Sequence, residues 1–91
     1  MKTSTLYLPP FYIEVDGCKV QVLEVLKSQL TFGETWYHVV VSIEYNGIKS
    51  RRYSISVKDT KDLINKLKTE ITKIKFIHYA YGIDEVKRLI T

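Results

Sequence analysis

The sequence has only one cysteine, Cys18, among its 91 residues. A single thiol cannot form an intramolecular disulfide, and it also excludes a CxxC metal site. The two histidines, His38 and His78, form no HxxxH or HExxH motif, and neither has a Cys, Asp or Glu at metal-ligand spacing. We therefore expect no metal and no cofactor, and we expect Cys18 to be a small core residue.

Glycine is also scarce, and the four glycines are isolated, so the sequence contains no glycine-rich phosphate loop. Four acidic residues could serve as general acids or bases, but each stands at a predicted helix start. N-capping and the helix dipole account for them without catalysis. These residues are Asp59, Asp62, Asp84 and Glu85. The sequence therefore predicts a protein that is not an enzyme.

Long hydrophobic runs are missing too, since no segment approaches 18 consecutive apolar residues. The first residues, MKTSTLYLPPFY, have neither the apolar core nor the cleavage site of a signal peptide. We expect a cytoplasmic protein that does not span a membrane. Asn and Gln are rare while Ile, Lys and Tyr are frequent, which is a bias typical of heat-adapted proteins.

What the sequence does contain is the composition of a small folded domain, with 45% hydrophobic and 26% charged residues. Its length predicts one domain over residues 1–91, and the thin core of such a short chain favours a homodimer. The net charge of +4 permits binding to nucleic acid or another anionic surface, although many basic domains bind neither. The distribution of the charges therefore matters more than their sum.

A β-hairpin is predicted after the N-terminal arm of residues 1–10, which ends at two prolines. Asp16-Gly17 is a strong signal for a type I′ turn between alternating strands. The resulting pairs are Val15 with Cys18, Ile13 with Val20, Phe11 with Val22, Glu14 with Lys19 and Tyr12 with Gln21. One face is then wholly apolar and the other is polar, as a half-buried hairpin requires. Alternation fails near Leu23-Glu24, which predicts a bulge.

The second hairpin follows a turn at Gly33-Glu34, and its register decides which face carries the arginines. A two-residue turn at Asn46-Gly47 would pair Val41 with Arg52, which places an apolar residue opposite a charged one. A three-residue loop over residues 45–47 shifts the register by one and makes one face consistently apolar. The predicted pairs are then Val39 with Tyr53, Tyr37 with Ile55 and Thr35 with Val57.

Helical periodicity replaces strand periodicity from residue 59 onward. Leu63, Leu67, Ile71 and Ile74 form one stripe, which predicts an amphipathic main helix over residues 59–75 with Asp59 as its N-cap. In the extension 76–91, FIHYAY could be helix or strand, Gly82 ends it, and IDEVKRLI predicts a short final helix. The fold class is therefore α+β: a meander of about four antiparallel strands in residues 11–57, with the main helix on one face.

The uncovered face of this sheet is the candidate binding surface. The residues predicted to point outward are Trp36, His38, Val40, Ser42 and Glu44, then Arg52, Ser54 and Ser56, and Tyr12, Glu14, Lys19 and Gln21. Lys49 and Arg51 are predicted on the other face, near the hairpin tip. Aromatic, basic and hydroxyl side chains together suit single-stranded nucleic acid, whose bases stack on rings while its phosphates meet Arg and Lys. Tyrosine and arginine also have good β-propensity, so an ordinary outer face accounts for the same pattern.

The candidate site residues divide by role. Arg51, Arg52, Lys49 and Lys19 would contact phosphates, whereas Trp36, Tyr12 and Tyr53 would stack on bases. Because the register separates the two arginines, Arg52 with Trp36 and His38 is the stronger part of the site. Arg51 could instead cap the core.

The segment GIKSRRYSISVKDTKDLINKLKTEI resembles the end of PC4-like single-stranded DNA-binding domains, in which a basic strand leads into an amphipathic helix. The matching residues are Lys49, Arg51 and Arg52, then Ile55 and Val57, then Leu63, Leu67 and Ile71. The resemblance implies a dimer that binds single strands through its sheet surface. Residues 76–91 depart from the family pattern, which affects the expected dimer mode.

Two other functions remain open at this point. A protein-interaction or assembly module, such as a small accessory or viral structural protein, would use the same face as a subunit interface. Its contacts would come from Trp36, Leu23, Val25 and Val40. A duplex-DNA regulator would use IDEVKRLI as a reading helix, although its shortness favours a packing role.

Overall fold

The computed structural model describes residues 10–29 and 33–91, so the N-terminal arm lies outside the described residues except for Pro10. Within these described residues, five antiparallel strands form one sheet and two helices follow it, which confirms the α+β prediction. The strands are β1 (Phe11–Val15), β2 (Cys18–Gln29), β3 (Thr35–Tyr45), β4 (Ile48–Lys49) and β5 (Tyr53–Val57). The helices are α1 (Thr60–Tyr81) and α2 (Ile83–Ile90). Strands β1, β2 and β3 are neighbours in that order, and both β4 and β5 pair with β3.

The first hairpin has the predicted turn and all five predicted pairs. Asp16 and Gly17 both have positive φ, 50° and 80°, as a type I′ turn requires. The register of β2 against β3 shifts between Val22 and Glu24, which confirms the predicted bulge. The bulge lets Val25 follow Val22 on the covered face, beyond the point where simple alternation fails.

The predicted register of the second hairpin is wrong. Asn46 and Gly47 form a two-residue turn, with φ of 50° and 79°, that pairs Tyr45 with Ile48. An extra residue then enters before β5. The observed pairs are Tyr53 with Val41, Ile55 with Val39 and Val57 with Tyr37. Neither uniform register considered from the sequence includes such a break.

Buried serine hydrogen bonds make this break possible. The Ser50 hydroxyl accepts from the amide of Ile43 at 2.8 Å and donates to the carbonyl of Arg51, also at 2.8 Å. The Ser42 hydroxyl donates to the carbonyl of Ser50 at 2.8 Å. Side chains thus satisfy backbone groups that a continuous ladder would otherwise pair. Because β5 is displaced by two residues from the prediction, its residues keep their predicted faces, whereas Lys49 moves to the uncovered face opposite Glu44.

The core lies between the covered face of the sheet and the two helices. Fully buried side chains from the strands include Val20, Val22, Val41 and Ile43, and those from the helices include Leu67, Ile71 and Val86. Cys18 belongs to this core, as predicted, and its burial raises the pKa of its thiol, although the nearby Lys75 ammonium opposes the rise.

The main helix is longer than the predicted range of residues 59–75. Asp59 is its N-cap, as predicted, and the carboxylate accepts from the amide of Asp62 at 2.8 Å. FIHYAY is helical because Ile77 and His78 continue the half-buried side of the helix over the sheet. Gly82, with φ of 97°, ends α1 and begins the short final helix, as predicted. In residues 10–29 and 33–91, neither helix combines the length and the apolar character needed to cross a membrane.

A hydrogen bond of 2.6 Å joins the hydroxyl of Tyr45 to Nδ1 of His78, and it links β3 to the extended part of α1. We expect Tyr45→Phe to lower the free energy of unfolding by about 1 kcal/mol, because it leaves the half-buried imidazole nitrogen without this partner. Urea unfolding followed by circular dichroism measures the change. Tyr53→Phe is the matched control, since among the described residues its hydroxyl has no hydrogen-bond partner. Equal losses in both variants would contradict a specific role for this bond.

Candidate nucleic-acid interface

One part of the uncovered sheet face combines aromatic, basic and hydroxyl side chains. Strand β5 places Ser54 opposite Val40 and Ser56 opposite His38. We call the following set the basic strip: Trp36, His38 and Val40 on β3, Arg52, Ser54, Ser56 and Lys58 on or beside β5, and Lys66 from α1. The alternation of β5 aligns Arg52, Ser54, Ser56 and Lys58 over six residue steps, or about 20 Å.

Two cations contact the ring of Trp36 at one end of the basic strip. Nζ of Lys58 lies 5.3 Å from the ring centroid, and Nζ of Lys66 lies 5.8 Å from it. Lys66 reaches this position from α1 across the edge of the sheet, where its ammonium donates to the carbonyl of Ser56 at 2.6 Å. Trp36 is half-buried, and its indole nitrogen donates to Glu34 at 3.5 Å. The ring is therefore bordered by two ammonium groups and one carboxylate.

A hydrogen bond between β3 and β5 orients the polar side chains at the centre of the basic strip. The Ser56 hydroxyl and Nδ1 of His38 form a hydrogen bond of 3.0 Å, which sets the orientation of the imidazole on the open face. Arg52 is exposed at the far end. Neither Arg52 nor Lys58 forms an ion pair with any residue that the structure describes. Their charges are thus available to an anionic ligand.

The opposite corner of the same face carries charges that balance each other. Cross-strand neighbours alternate in sign along the row Glu14, Lys19, Glu44 and Lys49. Tyr12 is 58% exposed, with Nζ of Lys19 at 5.1 Å from its ring centroid. This corner therefore offers a stacking surface but no net positive field.

Arg51 and Tyr53 lie on the covered side, away from the strip. Cζ of Arg51 lies 5.3 Å from the ring centroid of Tyr53, and its guanidinium donates to the carbonyl of Leu89 at 2.9 Å. The backbone amide of Arg51 also donates to the carbonyl of Ile90 at 2.8 Å. Arg51 thus pairs with the carbonyl end of α2, where a cation stabilises the helix dipole.

The strip brings together three of the residues predicted as a binding site, namely Arg52, Trp36 and His38. The other predicted residues lie in the charge-balanced corner or on the covered side: Tyr12, Lys19 and Lys49, and Arg51 and Tyr53. Sequence reasoning missed Lys58 and Lys66. The two-residue alternation of β5 could have indicated Lys58, because it continues the outward row beyond the last strand residue. The sequence contains no such indication for Lys66, since only the position of α1 over the sheet brings its side chain across the sheet edge.

The short final helix packs against the core through Val86 and Ile90. Its first turn carries Asp84 and Glu85, and hydrogen bonding from the Arg88 guanidinium lowers the pKa of the Glu85 carboxyl. A reading helix places its N-terminal residues against base edges, where carboxylates face DNA phosphates unfavourably. These features favour the packing role for α2.

Comparisons of this chain with protein-family models, with curated proteins and with solved structures found no match. The likeness to PC4-like domains therefore stays an expectation from the sequence.

Proposed function

We propose that this protein binds single-stranded DNA or RNA, with low sequence specificity and without catalysis, through the basic strip. One observation carries the proposal: Trp36 on β3, Arg52 and Lys58 at the two ends of β5, and Lys66 from α1 bring an aromatic ring and three cationic side chains to the same part of the open sheet face. The homodimer expected from the short chain is part of the same proposal, and sedimentation velocity measures it.

The chemistry of the strip matches that of an unpaired strand. A base stacks on the ring of Trp36, and the ammonium groups of Lys58 and Lys66 at the ring border meet the flanking phosphates. The hydroxyl of Ser54 donates to a phosphate or sugar oxygen between them, and Arg52 meets the backbone at the far end. Such contacts recognise the backbone and the ring faces of the bases, which gives little sequence specificity.

Binding is expected to weaken with salt, because each neutralised phosphate releases a counterion. Titration of labelled oligothymidylate and oligouridylate at about 50 and about 200 mM salt measures the slope of log affinity against log salt. Arg52→Ala/Lys58→Ala removes two phosphate contacts and should reduce this slope by about 1.4, at about 0.7 per contact for single strands.

The matched control is Lys19→Ala/Lys49→Ala, which removes the same charge from the same face but from the balanced corner. We expect its slope to stay close to that of the unaltered protein. Equal losses in the two double variants would show that net charge alone drives binding. Absence of binding at the lower salt concentration would refute the proposal.

A second candidate, the protein-interaction module, is favoured by one observation. Leu26 on β2 is 44% exposed opposite His38, and together with half-buried Val40 and Trp36 it forms an uncharged patch in the open face. The predicted contact from Val25 is wrong, since that side chain lies in the core. Trp36 fluorescence that changes with protein concentration but not with oligonucleotide would favour this function.

A further inference from the structure

The outward side of α1, opposite its core stripe, carries an uninterrupted row of uncharged side chains. Their spacing alternates between four and three residues, which is the seam spacing of a coiled coil. We call this row the outer seam: Asn65, Thr69, Thr72, Phe76 and Tyr79. All five residues are exposed, and the fractions for Phe76 and Tyr79 are 63% and 92%. The outer seam faces away from the sheet and hence from the basic strip.

The residue types of the outer seam are not those that an exposed helix surface favours. Asn and Thr have low intrinsic helix propensity, whereas Lys and Glu, which surround the seam, have high propensity. Exposed Phe and Tyr side chains on adjacent turns add apolar area that a solvated helix does not need. Residues that an exposed helix surface disfavours thus occupy one line along α1, as is typical of functional surfaces.

Lysines border the outer seam on both sides. Lys61 and Lys68 lie along one border and Lys73 lies along the other, whereas Lys66 and Lys75 reach back to the sheet and donate to the carbonyls of Ser56 and Asp16. Within the described residues, Glu70 pairs with Lys73 at 3.3 Å and Asp62 with Lys66 at 3.6 Å, while no ion pair is formed by Lys61 or Lys68. The borders correspond to the positions that choose the partner of a helix pair by charge. Pairing of two copies through this seam would bring lysines against lysines, which disfavours self-association there.

We propose that the outer seam is a docking surface for an acidic amphipathic helix of another protein. Apolar residues of that helix would pack around Phe76 and Tyr79, and its flanking glutamates or aspartates would meet the lysine borders. The uncharged, regularly spaced seam between the lysines favours a helix over a nucleic acid, because a phosphate backbone uses the lysines but leaves the seam unpaired. The proposal does not depend on the nucleic-acid function, since it uses the opposite side of the molecule.

The test uses the isotope-labelled full chain and a synthetic three-heptad peptide with Leu at its seam positions and Glu at its border positions. We expect this peptide to shift amide resonances along the outer seam. Two control peptides separate the contributions, one with Lys at the borders and one with Ser at the seam. Both should bind at least about tenfold more weakly than the acidic Leu peptide.

Variants of the protein sharpen the result. Phe76→Ser/Tyr79→Ser should lower the affinity for the acidic peptide by at least about tenfold. Lys61→Glu/Lys68→Glu should reverse the preference, so that the lysine peptide binds better than the acidic one. Arg52→Ala/Lys58→Ala should leave peptide binding unchanged, which separates this test from that of the basic strip.

Several outcomes would overturn the proposal. These are equal binding of the acidic and lysine peptides, resonance shifts away from the outer seam, and no binding with the acidic peptide at about 1 mM. Larger seam shifts with an oligonucleotide than with the peptide would assign the surface to nucleic acid. Loss of a dimer in Phe76→Ser/Tyr79→Ser, seen by sedimentation velocity, would assign it to a second copy of the chain.

Discussion

Trp36→Ala is expected to lower the affinity for single-stranded oligonucleotides by about 5- to 140-fold. One base stacked on an aromatic ring contributes about 1–3 kcal/mol, and each 1.4 kcal/mol changes affinity about tenfold. The loss should be similar for oligothymidylate and oligouridylate, since each base offers a face to the ring. Fluorescence anisotropy of the labelled strands, which needs no tryptophan signal, measures the affinity.

Trp36→Tyr is the matched variant, because it retains an aromatic face and should recover most of the affinity. The salt slope should change little in either variant, since Lys58 and Lys66 still meet the phosphates. Thermal melts of both variants check that the half-buried ring is not needed for folding. If Trp36→Ala binds like the unaltered protein while Arg52→Ala/Lys58→Ala does not, binding is electrostatic only and the stacking role is wrong.

Leu67→Ala is expected to lower the free energy of unfolding by about 2–5 kcal/mol, the largest stability effect that we predict. Leu67 is fully buried in the core that the sheet shares with the helices, so truncation leaves a cavity that close-packed neighbours fill only in part. A domain of this length has about 5–14 kcal/mol of stability, so the loss is a large share of it. The melting temperature should fall by about 10–30 °C.

Phe76→Ala, on the opposite side of the same helix, is the matched control for the core variant. Its side chain is 63% exposed, and we expect a change within about 0.5 kcal/mol. Differential scanning calorimetry of both variants measures the contrast. A large loss of stability in Phe76→Ala would show that the ring packs against the fold, and it would also remove the outer seam as a docking surface.

The second hairpin shows where sequence reasoning reached its limit. The match of apolar faces distinguishes the two uniform registers, and it predicts correctly which residues of β5 face the core. It could not reveal the change of register at Ser50, because the change depends on hydrogen bonds between Ser50, Ser42 and the backbone of Ile43. Lys49 was consequently assigned to the wrong face.

The extent of the basic strip also could not be predicted fully from the sequence. Strand alternation places the outward residues of adjacent strands side by side on one face of the sheet. It therefore predicts one site that contains Arg52, Trp36 and His38. The separation of this site from Tyr12, Lys19 and Lys49 depends on the sign of cross-strand neighbours. Glu14 opposite Lys19 follows from the first hairpin, but the position of Glu44 between Lys19 and Lys49 depends on the pairing of β2, β3 and β4.

Local patterns in the sequence were sufficient for several turns and caps of this protein, although they left FIHYAY open between helix and strand. The I′ turn at Asp16-Gly17, the bulge after Val22, the N-cap at Asp59 and the helix end at Gly82 each follow from the conformational preferences of a few adjacent residues. Only the tertiary structure decided which charges share a surface, since that depends on the pairing of distant strands and on the position of α1 over the sheet. Lys66 crosses to Trp36, and Arg51 pairs with the end of α2, because packing of the apolar faces brings those partners together.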